Sequence, residues 1–444
     1  MNSLRLLKSI KPNNELIYSG AVTKIVGMII EADGPLMAIG SRLAISTTDG
    51  HIVPAEIVGF NENRVLLMPY GDSGGIRPGS SVHSVSSFSA TGERLTSSCI
   101  QVSDAMLGRI LNGLGEPIDD KGPLPKGVAM PLYAMPPEPM GRKVIHDVIS
   151  TGIKAIDGLM TTGMGQRVGI FAGSGVGKSV LLGMIARNTN ADINVIALIG
   201  ERGREVREFI ERDLGEEGLK RSVVVVATSD QAPLVRKMGA FMATAIAEYF
   251  RDQGKQVMFM MDSVTRFAMA QREIGLSIGE PPATRGYTPS VFSLLPKLLE
   301  RAGTTAGAGS ITGLYTVLVE GDDMNDPVGD TVRSIIDGHI VLDRMLAAKN
   351  HFPAIDVLVS ASRLMKEIVP DEVFIQAGRF RDLMATYRDA EDLVNIGAYV
   401  AGSNPKIDEA LNKIGAINAL LRQRMEENIK YEDTIKMIGA IVNK

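Results

Sequence analysis

Residues 166–179 read Gln-Arg-Val-Gly-Ile-Phe-Ala-Gly-Ser-Gly-Val-Gly-Lys-Ser, and this stretch decides the architecture of the chain. The apolar residues at its start predict a buried β-strand, and the apolar run Val180–Ala186 that follows it predicts a helix. Glycines between the two permit positive φ values, which turn backbone N–H groups toward one point at the helix N-terminus. A strand, a glycine-rich turn and a helix in this order predict a phosphate-binding loop.

The loop departs at one position from the pattern G-x-x-x-x-G-K-[ST], because Ala172 stands where the first glycine is expected. Gly173 lies beside it and offers the same conformational freedom. We expect Lys178 to reach the β- and γ-phosphates of a nucleotide and Ser179 to bind magnesium. The residues expected around the phosphates are Gly173, Ser174, Gly175, Val176, Gly177, Lys178, Ser179 and Val180. An ordinary glycine-rich turn would not require Lys-Ser at this offset.

Size and composition limit the possible classes of protein. The chain has 444 residues, of which 22% are charged and 45% hydrophobic, with a net charge of −4. This length predicts two or three domains, and without a basic excess nothing supports nucleic-acid binding. The single cysteine, Cys99, has no partner in the chain for a disulfide, which fits a reducing cytoplasm. The sequence also lacks a membrane-length apolar run and a signal-peptide pattern, so we expect a cytoplasmic protein.

The hydrophobic pattern divides the chain into three predicted domains of an α/β protein. The pattern over residues 1–90 predicts a small β-barrel that begins with a short amphipathic segment, residues 1–11. This segment could dock a partner or be a frayed terminus. Residues 91–362 predict the nucleotide-binding domain. A linker with little regular structure occupies 91–149, and a doubly wound, mostly parallel sheet follows it. Residues 363–444 predict a C-terminal helical domain.

The apolar runs also predict individual elements. In the barrel, the predicted strands are Val22–Ile30, Ala38–Ile45, His51–Phe60, Arg64–Met68 and Ser81–Val85. The predicted strands of the central sheet are Arg167–Phe171, Asn194–Ile199, Ser222–Ala227, Gln256–Met261, Ile311–Val319, His339–Leu342 and Ala354–Val359. The predicted C-terminal helices are Asp371–Arg388, Glu391–Ala398, Lys406–Leu421 and Tyr431–Ile441.

Two carboxylates follow strands of the predicted sheet. Asp262 ends an apolar strand, and Glu201 follows another strand within the charged segment Gly200–Glu205. Because strand C-termini meet at the ligand crevice of a doubly wound sheet, we expect both residues beside the phosphate loop. Asp262 would be a magnesium ligand, and Glu201 would be the base that activates the attacking water. The alternative for the charged segment, above all for Arg204 and Glu205, is a solvated cluster of salt bridges.

Seven stretches together resemble the catalytic subunits of rotary ATP synthases, and most closely the ATPases of flagellar and type III protein export. They are 172–179, Gly200–Glu205, Met261–Phe267, Gly286–Ser290, Gly309–Thr312, Val319–Pro327 and His351–Asp356. Within the export group, Met324–Pro327, Asp337–Val341 and Asn395–Tyr399 resemble the flagellar branch. The resemblance covers almost the whole chain.

The resemblance implies an ATP hydrolase that uses Mg²⁺, works as a homohexameric ring and energises flagellar protein export. It gives Lys178, Ser179, Asp262 and Glu201 the roles expected above from their chemistry. The implied partners are a stator-like export regulator at the N-terminus, a central stalk-like export protein, export substrates with their chaperones, and the export gate. The implied location is the inner face of the membrane export apparatus.

Three further site residues rest on the resemblance. Arg202 matches an arginine beside the catalytic carboxylate, and Phe352 matches the aromatic residue that packs on adenine. An ordinary core phenylalanine is the alternative for Phe352. Arg363 matches an arginine that is supplied to a neighbouring subunit's site.

Other machines share this chemistry. The alternatives are an ATP-synthase-type rotary subunit, a virulence type III secretion ATPase and a nucleic-acid motor of the same core fold. A basic groove with interleaved aromatic residues in the N-terminal barrel would favour the nucleic-acid motor, but that region has few Lys or Arg.

Overall fold

The computed structural model describes residues 19–84, 99–319 and 326–443. The docking segment predicted over residues 1–11 and the first predicted boundary, near residue 90, lie outside these ranges.

Within residues 19–84, six antiparallel strands close into a barrel in the order β1-β2-β5-β4-β3-β6. They are β1 Ser19–Val26, β2 Ile29–Ala32, β3 Arg42–Ser46, β4 Ile52–Asn61, β5 Arg64–Pro69 and β6 Ser81–Ser84. Alternating apolar residues fill its interior, among them the fully buried Ile30, Leu43 and Leu67. The single strand predicted over Val22–Ile30 is wrong. Gly27, at a φ of 58°, turns the chain there into a hairpin.

The segment between the barrel and the phosphate loop contains more regular structure than predicted. It forms β7 Cys99–Val102, β8 Ile110–Asn112, β9 Val128–Pro131, β10 Val148–Ile149, β11 Thr162–Gly163 and the helix α1 Lys154–Leu159. Strand β8 pairs in parallel with a strand of the central sheet, over Ile110–Asn112. Two bonds from the Arg109 guanidinium to Asp119, at 2.8 and 2.9 Å, close the loop that follows β8. Short strands that pair with distant segments leave little trace in the apolar pattern.

The central sheet confirms the predicted doubly wound, mostly parallel fold. In the described part of the chain nine strands form it, in the order β19-β18-β12-β17-β15-β13-β14-β8 with β16 beside β17. Its further strands are β12 Arg167–Ala172, β13 Ile193–Ile199, β14 Ser222–Ala227, β15 Gln256–Asp262, β16 Gly303–Thr304, β17 Ser310–Leu318, β18 Gly338–Leu342 and β19 Ala361–Ser362. Only β16 and β19 pair in the antiparallel direction.

The strand predicted over Ala354–Val359 is wrong. Ile355 makes one isolated bridge to Leu342, and the chain then turns. The Asp356 carboxylate accepts the Leu358 N–H at 2.9 Å, and the Asp356 carbonyl accepts the Ser360 N–H at 3.2 Å. These local bonds use backbone groups that a strand would offer to its neighbour.

Helices cover both faces of the sheet. They are α2 Lys178–Asn188, α3 Gly203–Glu208, α4 Gly215–Lys220, α5 Pro233–Asp252, α6 Val264–Ser277, α7 Pro289–Leu299, α8 Pro327–Ile335, α9 Arg344–Ala348, α10 Met365–Ile368, α11 Asp371–Asn395, α12 Pro405–Leu421 and α13 Tyr431–Val442. A π-helical turn, Phe209–Leu214, joins α3 to α4.

The C-terminal helices α11, α12 and α13 share one core cluster with α2 and one face of the sheet. The two helices predicted over Asp371–Arg388 and Glu391–Ala398 are one helix to Asn395, because Asp389 and Ala390 contain no helix breaker. Among the described residues, no helix has the length and apolar character needed to cross a bilayer.

Candidate active site

The phosphate loop joins β12 to α2 at the carboxyl end of the sheet. Gly175 and Gly177 have φ values of 77° and 87°, the left-handed region that a residue with a Cβ rarely adopts. Their conformation places the loop N–H groups at the first turn of α2, where the helix dipole favours an anion. Of the other predicted loop residues, Gly173 and Val176 are buried, Ser174 is exposed, and Ser179 and Val180 are half-buried.

Three charged side chains meet beside this loop. Lys178 Nζ lies 2.5 Å from Asp262 Oδ1 and 3.3 Å from Glu201 Oε1. Lys178 opens α2, Glu201 follows β13 and Asp262 ends β15, so the sheet brings together residues that are far apart in the sequence. All three side chains are largely shielded from solvent. The structure therefore joins the predicted lysine, base and magnesium ligand.

Burial and charge shift the pKa values of this cluster. Burial, together with the negative charge of Asp262, raises the pKa of Glu201 to about 7, and Lys178 opposes that rise. Burial alone would lower the pKa of Lys178, but the charges of Asp262 and Glu201 outweigh it, and the pKa is raised. Lys178 thus stays cationic. Glu201 has a pKa near neutrality, which suits a general base.

Asp262 is the best-fixed member of the cluster. It is only 2% exposed, and its Oδ1 accepts a hydrogen bond of 2.8 Å from the hydroxyl of Thr316 on β17. An oxygen donor set of Asp262 and the Ser179 hydroxyl fits Mg²⁺, which prefers oxygen ligands and keeps several from water and phosphate. The Lys178 ammonium against Asp262 shows that this carboxylate already attracts a cation. In the described residues no group of three or more His, Cys, Asp or Glu is arranged to hold a metal ion.

Phe352 lies against the phosphate loop. A Cβ on Gly177 would lie 3.6 Å from two atoms of the Phe352 ring, which is 41% exposed. The Phe352 main-chain carbonyl accepts the N–H of Gln423 at 2.9 Å. The Gln423 side chain in turn donates to the Gly152 carbonyl at 2.7 Å. Gln423 of the C-terminal domain therefore fixes the Phe352 backbone. The exposed Phe352 ring lies beside the phosphate loop, where a base could stack.

Arg202 is placed beside Glu201 in sequence but extends into solvent. Its side chain is 82% exposed and lies 3.8 Å from Glu205 in an i, i+3 pair. A second arginine, Arg266 on α6, packs its side chain over Gly200, immediately before Glu201. Arg266 was not among the predicted site residues, although it lies within the Met261–Phe267 stretch.

Arg363 is not part of this cluster. Its N–H donates to the Asp337 carbonyl at 3.0 Å, and the Asp337 N–H donates to the Arg167 carbonyl at 2.8 Å. Arg167 begins β12, whereas the phosphate loop follows Ala172 at the other end. At about 3.3 Å per residue, the length of β12 separates Arg363 from the loop by roughly 16 Å. The exposed Arg363 side chain thus lies at the amino end of the sheet.

Two residues that organise the site, Thr316 and Gln423, were not predicted from the sequence. Each is buried and acts through a contact with a residue distant in sequence. Neither lies in a local pattern that carries chemistry, so the sequence offered no signal for them.

Comparison with known families gives matches over most of the chain. Residues 22–85 match the beta-barrel domain of the ATP synthase alpha/beta family, and residues 152–362 match its nucleotide-binding domain. Residues 369–440 match the T3SS EscN ATPase C-terminal domain.

Individual relatives are similar over nearly their whole length. The flagellum-specific ATP synthase of Bacillus subtilis is 52% identical over 99% of both chains. The type 3 secretion system ATPase of Xanthomonas euvesicatoria is 48% identical, over 96% of this chain and 94% of the relative. Among solved structures, the assembled ATPase EscN of the enteropathogenic Escherichia coli type III secretion system is 46% identical. The match has a TM-score of 0.87 and covers 95% of this chain and 100% of EscN. EscN has also been solved in complex with its central stalk EscO, and that match has a TM-score of 0.86, 46% identity and the same coverage.

Proposed function

This chain belongs to the ATP synthase alpha/beta family, and we propose that it is the ATP hydrolase that energises flagellar type III protein export. The observation that carries the proposal is the meeting of Lys178, Glu201 and Asp262 at the phosphate loop. A C-terminal domain like that of a type III ATPase supports export rather than ATP synthesis. The flagellar relative at 52% identity supports the flagellar branch over the virulence branch.

The reaction proceeds by attack of water on the γ-phosphorus of ATP and cleavage of its bond to the β–γ bridging oxygen. Loop N–H groups and Lys178 hold the phosphates, for which Lys178 leaves its two carboxylate partners. Glu201 orients the water and accepts its proton, as a pKa near 7 allows. Asp262 and Ser179 would hold Mg²⁺, which neutralises charge on the β- and γ-phosphates.

Completion of the site requires a second subunit. Arg363 lies too far from the phosphate loop to reach a nucleotide bound to its own chain, and it is exposed where a neighbour could be contacted. We assign it to the γ-phosphate of the adjacent site in a homohexameric ring, where a guanidinium stabilises developing charge. Arg202 is assigned a catalytic role beside Glu201, for which its side chain would turn from solvent and Glu205 toward the site.

The remaining assignments concern the export machine. The ring would work at the cytoplasmic face of the membrane export apparatus, next to the export gate. It would bind an export regulator through its N-terminal segment, a central stalk protein, and export substrates with their chaperones. EscN, which forms a complex with its central stalk EscO, supports the stalk assignment.

A complementation experiment and an ATPase assay together test the proposed activity. In a flagellated bacterium whose own export ATPase gene is deleted, this chain should restore secretion of flagellar subunits, and Lys178→Ala should not. The purified chain should hydrolyse ATP only with Mg²⁺ present. A chain that restores neither secretion nor hydrolysis, although folded and present in the cell, would contradict the proposal.

A further inference from the structure

Thr316 lies on β17, beside the carboxyl end of β15. The register pairs Met261 with Tyr315, so Asp262 and Thr316 are adjacent across the two strands. Thr316 is fully buried, and its Oγ1 lies 2.8 Å from Asp262 Oδ1 and 3.2 Å from the Met261 carbonyl. A hydroxyl has one proton, and a bond to a carboxylate is stronger than a bond to a neutral carbonyl. Thr316 therefore donates to Asp262.

Both hydrogen bonds that the described residues give the Asp262 carboxylate end on Oδ1. One comes from Lys178 Nζ at 2.5 Å and the other from Thr316. Their convergence fixes the carboxylate plane and leaves Oδ2 as the oxygen with capacity for a metal ion.

The two donors differ in how firmly they are held. Lys178 has a flexible four-carbon stem and is expected to leave Asp262 for the phosphates. Thr316 is β-branched and lies in β17, which is paired with a strand on each side. Its hydroxyl therefore cannot move to the phosphates as Lys178 does. After the lysine moves, Thr316 remains on Oδ1.

We propose that Thr316 is a positioning residue for magnesium, whose hydroxyl keeps the Asp262 carboxylate oriented after Lys178 has moved to the nucleotide. This inference rests on the proposed function, in particular on the role of Asp262 as a magnesium ligand. Loss of a hydrogen-bond partner to a metal ligand typically lowers metal affinity or activity by about 10–100-fold. An effect of that size should appear only when Mg²⁺ is present.

The test compares the parent chain with three variants. Thr316→Val is nearly isosteric and removes the hydroxyl, whereas Thr316→Ser keeps it. Thr312→Val is the matched control, because Thr312 is buried on the same strand and its hydroxyl instead accepts the Gly165 N–H at 2.9 Å. Thr316→Ala replaces Thr316→Val if the valine prevents folding.

The measurement is the affinity for a fluorescent ADP analogue, in Mg²⁺ and in EDTA. Mg²⁺ should tighten binding to the parent chain, to Thr316→Ser and to Thr312→Val. In Thr316→Val that gain should shrink by about 10-fold, while affinity in EDTA stays at the parent value. The Mg²⁺ concentration for half-maximal hydrolysis should rise in parallel.

Three results would overturn the inference in distinguishable ways. If the parent gains affinity from Mg²⁺ and Thr316→Val gains as much, Thr316 has no positioning role and the proposed function stands. If the parent itself gains nothing from Mg²⁺, the magnesium role of Asp262 fails together with that of Thr316. Equal losses in Mg²⁺ and EDTA would show a structural role only.

Discussion

Phe352 and Arg363 belong to one short segment but lie at opposite ends of the central sheet. Phe352 lies against Gly177 of the phosphate loop, and Arg363 is hydrogen-bonded to Asp337, the residue immediately before β18. Between them the segment follows β18 in the antiparallel direction. Under the proposed function, one end of the segment serves the subunit's own nucleotide, and the exposed Arg363 at the other end serves a neighbour. The two residues should have different kinetic signatures.

Phe352→Ala should raise KM for ATP and leave kcat nearly unchanged. Stacking of a base on an aromatic ring is worth about 1–3 kcal/mol, which corresponds to roughly 5–150-fold in affinity. Phe352→Tyr keeps the aromatic face and should resemble the parent. Inorganic tripolyphosphate has no base, so as a competitor it should bind the parent and Phe352→Ala equally. Equal losses of ATP and tripolyphosphate affinity would place Phe352 in the loop's structure and not in base binding.

Arg363→Ala should retain nucleotide binding and lose turnover. An arginine supplied by a partner is worth roughly 10³–10⁵ in kcat, because it acts on charge that develops in the transition state. Hydrolysis per parent subunit should also rise with protein concentration as the ring forms. Full activity of Arg363→Ala, together with concentration-independent hydrolysis by a monomer, would contradict the shared site.

Mixing two inactive variants tests the same point directly. Arg363→Ala subunits keep an intact phosphate loop, and Lys178→Ala subunits keep Arg363. Where the two adjoin in the correct order, one complete site is rebuilt, so partial activity should return. Recovery requires that turnover does not need every site in the ring. A mixture of Lys178→Ala with the double variant Lys178→Ala/Arg363→Ala is the control and should stay inactive.

Glu201→Gln and Lys178→Ala should separate catalysis from binding. Glutamine cannot accept the proton of the attacking water, so turnover should fall by roughly 10²–10⁴ while ATP still binds. Lys178→Ala removes a phosphate contact and should weaken binding as well. Equilibrium ATP binding and single-turnover hydrolysis measure the two effects. Hydrolysis by Glu201→Gln at the parent rate would refute the assignment of the base.

The pH dependence of hydrolysis should report on Glu201. Burial and Asp262 raise the pKa of Glu201 to about 7, and a base must be deprotonated, so kcat/KM should fall as the pH drops below about 7. A hydrogen bond with Glu205 contributes to the raised pKa. Glu205→Gln should therefore lower this pKa and move the acidic limb to lower pH. Protonation of ATP affects both proteins alike, so the difference between their profiles isolates Glu201. If the parent chain and Glu205→Gln have the same pH profile, this would count against Glu201 as the group whose protonation lowers kcat/KM at low pH.

Much of the fold was predictable because it rests on local patterns. The strand from Ser222 to Ala227 is apolar from Val223 onward and was predicted at its observed bounds. The predictions failed where a few residues pair at long range or turn locally. Ile110–Asn112 becomes a strand only by joining β14, and Asp356 turns an apolar segment out of the sheet. In the first case a contact outside the sequence window decides the structure, and in the second case local hydrogen bonds override the apolar pattern.

The phosphate loop, with Lys178 and Ser179, was determined by the sequence itself, because its glycines, lysine and helix are consecutive and act through local geometry. The tertiary structure decided the rest of the site. It brought Glu201 and Asp262 onto Lys178, since parallel strands end at one edge of a sheet. It also placed Thr316 beside Asp262 through strand register, and Arg363 at the far end of the sheet. Distances between strands depend on their order, and sequence spacing does not contain that order.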